Sequence, residues 1–219
     1  MSVARFALLA CSLLIAGCAI EGHAVASQVV PDESNHDPSL AVPGVEVASY
    51  AHSLHVGRGQ RVAYDRTPPM GGPHDAIWAD CTGVVYADPI RTELAVHSLE
   101  HGAVWIAYDP ERLSAGQVAQ LARYVDGVPY LLMSPFPGMD QAVSLQGWGH
   151  QLKVDNVSDL RISQFISALR LNPYTVPEIG ATCQTIPGMF DPAKPPAFDP
   201  SPVGPDAVRL DGTGADVTK

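Results

Sequence analysis

His97, Glu100 and His101 stand at i, i+3 and i+4 within ELAVHSLEHGAVWIAY, residues 93–108. On a helix that spacing puts two imidazoles and a carboxylate on one face, within reach of a single ion. Imidazole nitrogens suit zinc or copper(II), copper binding the tighter at comparable geometry. The carboxylate serves either as a further ligand or as the acceptor that fixes a histidine tautomer. A third imidazole, His74, closes the run PPMGGPH at 68–74. Pro68, Pro69 and Pro73 remove amide donors and Gly71 and Gly72 permit positive φ, so residues 65–78 read as a tightly shaped loop delivering His74 and Trp78 to a fixed place. The expected metal set is therefore His74, His97, His101 and Glu100, with copper or zinc as the ion.

Two other readings compete with metal binding. His97, Glu100 and His101 can form a hydrogen-bonded buried knot that organises a junction of helix and strand, His74 then being a surface residue of a rigid turn and the domain a scaffold module of an envelope complex. HSLEH also fits HxxEH, in which two histidines hold zinc and the glutamate activates water. The sequence places no downstream glutamate ligand for that chemistry, so the expectation leans against an enzyme. Convergence of the His74 and His101 nitrogens on one point separates a metal site from the knot, in which each ring turns to a backbone carbonyl. No G-x-S-x-G, P-loop or dinucleotide fingerprint occurs, and no nucleotide cofactor is expected.

The elements that must position these groups are marked unevenly. Gly102 is a plausible stop for the helix bearing His97, and beyond it Val104, Ile106 and Tyr108 alternate with Ala103, Trp105 and Ala107, the pattern of a buried strand. Ser114 with Gln117 forms a capping box before Val118, Leu121, Ala122 and Val125, a helix ending at Gly127. Ser158 is expected to cap a second, with Ile162, Phe165, Ile166 and Leu169 as its apolar stripe and Pro173 beyond its end. Residues 61–64, 84–86, 129–133 and 142–148 are strand candidates, the last two separated by the turn SPFPGMD. Strands joined both by helices and by a short turn imply an α+β domain: a mixed or antiparallel sheet with two or three packed helices.

The chain has 219 residues, 46% of them hydrophobic, with 20 Pro and 19 Gly. That is enough for one core with extended ends. A net charge of −10 and the lack of a basic stripe argue against a nucleic-acid partner. Arg5 followed by the apolar run 6–16 and Ile15-Ala16-Gly17-Cys18 is similar to a bacterial secretory signal with a lipobox, in which Cys18 is acylated and residues 1–17 are removed. An ordinary signal peptide or an uncleaved anchor is the alternative. Cleavage removes one base, Arg5, and no acid, leaving 12 bases against 23 acids, a net of −11. Lipid, not charge, would then hold the chain to the extracytoplasmic face of the cell membrane.

Cys11 leaves with the signal and Cys18 carries lipid, so Cys81 and Cys183 remain in an oxidising compartment and are expected to pair. Thiolate metal ligands are the alternative. Residues 18–44 read as a flexible tether in which His23 and His36 are solvated, 45–183 as the globular domain, and 184–219, with seven Pro and four Gly in 36 residues, as a disordered tail.

Taken together, PPMGGPH at 68–74, Trp78, Cys81, Tyr86, VHSLEHGAVWIAYDP at 96–110, the SP-P turn at 134–137, GWGH at 147–150 and PE-GA-C at 177–183 resemble domain-of-unknown-function family 3105. His55 and His150 also lie in resembling blocks. The resemblance implies an exported or membrane-attached protein of the kind common among actinobacterial lipoproteins. It points to His74, His97, Glu100 and His101 but implies no activity.

Overall fold

A strand whose side chains are apolar on both faces needs a layer on each side, and the chain supplies them. The computed structural model describes residues 29–217. Cys18, the expected signal 1–17 and the first part of the expected tether lie outside the described residues. The elements in chain order are β1 (Val45–Val47), β2 (His55–Val56), β3 (His74–Asp75), β4 (Thr82–Val85), α1 (Thr92–Glu100), β5 (Val104–Tyr108), α2 (Ala115–Val125), β6 (Leu131–Pro135), β7 (Val143–Gly147), β8 (His150–Val154) and α3 (Leu160–Leu169).

Six strands form one mixed sheet in the order β1-β8-β7-β5-β6-β4. β6 pairs in parallel with β4 and β5, while β5-β7, β7-β8 and β8-β1 are antiparallel. The parallel pairs are reached through helices and the antiparallel ones through turns, as connection length dictates. On one face Val104, Ile106, Met133, Leu145 and Leu152 meet Leu121 and Val125 of α2 and Ile162, Phe165 and Leu169 of α3. On the other face Ala103, Trp105, Ala107 and Leu132 meet Leu94, Ala95 and Leu99 of α1. β5 is therefore buried at every position. The α+β class, the mixed sheet and the alternation of residues 103–108 all agree with the sequence reading.

Several local expectations change. The capping box Ser114–Gln117 is present, but α3 is capped by Asp159, whose carboxylate accepts the Arg161 N–H, and not by Ser158. Ser158 instead lies in the turn whose Asn156 side chain accepts its N–H. Residues 61–64 form no strand; Val62 makes one isolated bridge to Val208 and gives its N–H to Glu93. β8, in which Leu152 and Val154 alternate with Gln151 and Lys153, is not among the strand candidates above and lies between β1 and β7. Residues 184–217, expected to be disordered, return over the domain. Phe190 packs on Tyr86, Phe198 packs on Phe136, Pro196 accepts the Arg91 N–H, and Val208 is fully buried. Within the expected tether, Pro38–Ala41 form a 3₁₀ turn, Val42 joins the core and His36 stacks on Tyr174.

Cys81 and Cys183 form a disulfide, which fastens the end of the domain beneath α1. It closes 102 positions of chain. Replacing both cysteines by serine is expected to remove about 4–5 kcal/mol of stability by the chain-entropy estimate, measured by denaturant unfolding of the full chain. A loss below about 1 kcal/mol would show that the cross-link does not restrain the unfolded chain.

Candidate metal centre

α1 is buried on all sides, from Glu93 to Glu100, so its polar residues must find partners inside the protein. Ser98 gives its hydroxyl to the Ala79 and Leu94 carbonyls, and Glu93 pairs with Arg91 and accepts the Val62 N–H. The helix ends at Glu100 with His101 as its C-cap, and Gly102 follows at φ +96°. A side chain there is strained by that φ and would also press on Val176, which explains glycine as the stop.

The loop before β3 is held by its carbonyls. Gln151 donates to Pro68 O, the Gly149 N–H to Met70 O, and Tyr64 Oη to Pro73 O. At Gly71 a Cβ would lie 2.6 Å from the Tyr50 ring, so only glycine allows that approach. β3 pairs in parallel with β2, and the register sets His55 beside His74.

Four of the side chains converge. Ligand-capable atoms of His55, His74, His97 and Glu100 all lie within 4.8 Å of one another. A second group, His97, His101 and Glu178, meets the same limit and shares His97. His101 thus stands on the other side of His97 from Glu100. Positions i+3 and i+4 of a helix flank position i at opposite angles, so consecutive residues 100 and 101 diverge while each remains near residue 97. The expected set of His74, His97, His101 and Glu100 is brought together, but divided between two adjoining groups.

Three rings are fixed by the backbone. His74 Nδ1 lies 2.9 Å from Gly72 O, His97 Nδ1 2.6 Å from Asp75 O, and His101 Nδ1 2.8 Å from Thr182 O. A carbonyl can only accept, so each contact is an Nδ1–H donation, and in the neutral ring Nε2 is left with its lone pair. His74 and His101 fall in different groups and do not meet at one point, and each ring turns to a carbonyl as the knot requires; what remains for a cation is the Nε2 lone pair of each ring.

Polar atoms crowd here without aligned partners, the Trp78 indole N–H beside His97 and His101 among them. His74 Nε2 lies 2.9 Å from Glu100 Oε2, both side chains being fully buried, yet neither atom is in an aligned hydrogen bond. His55 Nε2 is also buried without a partner. Glu100 Oε1 accepts the Ser53 N–H at 2.6 Å. A buried polar atom without a partner costs about 1–3 kcal/mol; a proton between His74 and Glu100, or a cation among the three, would offset that cost.

Electrostatics keep the groups in their ligating states. Burial, reinforced by the neighbouring His74 and His101 rings, pushes His97 down to about 3. Burial lowers His101 against the Thr182 carbonyl and Glu178, which favour the charged ring. His55 is lowered by burial and by His74. Burial would raise Glu100, but the His74 ring, the Ser53 N–H and the His97 ring outweigh it and hold the carboxyl below its ordinary value. At neutral pH His55, His97 and His101 are neutral imidazoles and Glu100 is a carboxylate.

His55, Glu178 and the Ser53 N–H were not in the expected set. His55 and the PE of residues 177–178 lie in the resembling blocks, but nothing in local spacing assigns them to α1. His150, in another such block, turns away and pairs with Asp37 at 3.0 Å. Glu178 supplies the downstream carboxylate beside the two histidines of HxxEH. Glu100, which would activate water in that scheme, is fully buried and engaged by Ser53 and His74.

The sequence profile described as "Protein of unknown function (DUF3105)" matches residues 55–185. The chain belongs to the DUF3105 family. No curated protein and no solved structure matches it. The DUF3105 segment opens on His55 and runs two residues past Cys183, so it takes in both His/Glu groups and the disulfide.

The depressed histidines of this DUF3105 domain predict acid lability. Near pH 6.5 the unfolded rings take up protons that the folded ones refuse, so stability is intact above that pH and falls below it. His97 alone sets a slope of up to about 1.4 kcal/mol per pH unit down to its folded value. Glu100 adds a further loss below 4.5. Urea unfolding of the metal-free protein between pH 7 and 4 measures this; a flat profile would contradict it.

Proposed function

We propose that this domain is the metal-binding module of a lipid-anchored extracytoplasmic protein, holding one zinc or copper(II) ion between His55, His74, His97 and Glu100. One observation carries the reading: ligand-capable atoms of three buried side chains and the partly buried His55 meet at one place, where His55 Nε2, His74 Nε2 and Glu100 Oε2 have no aligned hydrogen bond. A proton shared between His74 and Glu100 would relieve that pair but leave His55 Nε2 unpartnered, whereas a cation serves all of them. Neutral imidazoles with one carboxylate suit a divalent ion of borderline softness. Four protein ligands fill a tetrahedral shell and leave no position for a water nucleophile, which favours holding or passing on an ion over hydrolysis.

In isothermal titration of the metal-free chain with zinc(II), one ion per chain is expected. His74→Ala, His97→Ala and Glu100→Gln should each weaken binding by more than about tenfold, since even groups that merely orient ligands contribute that much. Unchanged affinity in all three variants would leave the cluster as a structural knot within an envelope scaffold.

The lipobox at Cys18 supports anchoring, and the oxidised Cys81–Cys183 pair fits an exported domain. Among the described residues no helix is long and apolar enough to cross a membrane. Labelled palmitate fed to cells producing the chain should enter the protein and be lost in Cys18→Ser. Equal labelling of both would contradict the anchor.

A further inference from the structure

The two His/Glu groups differ in ligand count and in which member is partly exposed: the imidazole His55 in one, the carboxylate Glu178 in the other. In the inner group His74 and Glu100 are fully buried. In the outer group the Glu178 side chain is 38% exposed, and its Oε2 lies 3.7 Å from His101 Nε2. His97 belongs to both, but its Nδ1–H is committed to Asp75 O, so Nε2 is its one lone pair. One lone pair serves one ion at a time. Full occupation of both groups together is therefore excluded, and an ion held by the outer three residues becomes an inner ion when His97 swings its bond across.

Resting on the metal reading above, we propose that His101 and Glu178 form an acquisition site and that His97 is the exchange ligand passing the ion inward to His55, His74 and Glu100. An arriving cation meets Glu178 first, because it is the most exposed carboxylate of either group. The outer site offers two nitrogens and one carboxylate and the inner three nitrogens and a carboxylate, so the ion settles inside. Ser53 ties the two acids together. Its N–H is held by Glu100 Oε1, its hydroxyl lies 3.4 Å from Glu178 Oε1, and its backbone adopts φ +56°. A non-glycine residue in that conformation is strained and persists because its surroundings hold it. Trp78 packs edge-on to both His97 and His101, walling the passage between the groups.

A site used in transit changes rates in both directions and leaves the end state alone. The test is stopped-flow transfer of zinc(II) from a chromophoric indicator to the full chain, followed by removal with excess EDTA, in wild type and Glu178→Gln. The expected result is one ion per chain, with uptake and removal both slowed about tenfold and the equilibrium dissociation constant unchanged within twofold. His101→Gln should behave alike, guarding against a fault peculiar to one variant. Weakened affinity with unchanged uptake would make Glu178 a ligand of the final site and overturn the proposal. So would unchanged rates, or two ions bound per chain. Wild type that takes up no zinc or copper at all would fail at the level of the metal reading, a result separable from each of these.

Discussion

Three backbone carbonyls, those of Gly72, Asp75 and Thr182, decide what this domain can do. Each takes the Nδ1–H of a buried histidine, and each thereby fixes the ring's tautomer and turns its Nε2 toward a neighbouring acid or imidazole. Without those contacts the rings could rotate and pair with one another, and the cluster would relax into an ordinary hydrogen-bonded network. With them, the lone pairs are held facing each other in the apolar half of the molecule. The cost of that arrangement is met by the packing around it.

Much of the architecture serves to keep those carbonyls in place. Gly72 O and Asp75 O belong to the proline-glycine loop and the short strand β3, whose remaining polar groups are taken up by Gln151, Gly149 and Tyr64. Asp75 also binds Arg91, which in turn holds Glu93 at the start of α1, so the loop and the helix are tied at both ends. Thr182 O is set by the adjacent disulfide and by the Cys81 N–H, which donates to Cys183 O. A helix buried on every side is unusual for a domain of this size. It is tolerated here because its polar residues have partners in the backbone, in Arg91 and in the His/Glu cluster.

The helical spacing of His97, Glu100 and His101, the glycine that ends the helix and the two-faced strand after it were legible because they are local: residues three, four or two apart determine them. The cap at Ser114 was legible for the same reason. Asp159 displaced Ser158 because a carboxylate braced by the Arg161 guanidinium is the stronger acceptor. β8 does carry a local signal, Leu152 and Val154 alternating with Gln151 and Lys153, which the strand candidates leave out; its place between β1 and β7 is set by the fold. The segment after Cys183 looks disordered by composition, but its prolines carry little backbone entropy to lose, and a few apolar anchors, Phe190, Phe198 and Val208, suffice to lay it on the surface. His55 and Glu178 could not be assigned from spacing, because strand register and a loop more than seventy positions downstream bring them to the cluster. HSLEH reads as one set; the turn of the helix between residues 100 and 101 places Glu100 and His101 in different groups.

The inner cluster is the centre of this account, and its ligands can be counted directly. X-ray absorption at the zinc edge of the loaded chain should show a four-coordinate shell at about 2.0–2.1 Å, with multiple-scattering features of three imidazoles and one oxygen donor. A shell of water and carboxylate oxygens with no imidazole signature, or one containing sulfur, would contradict it.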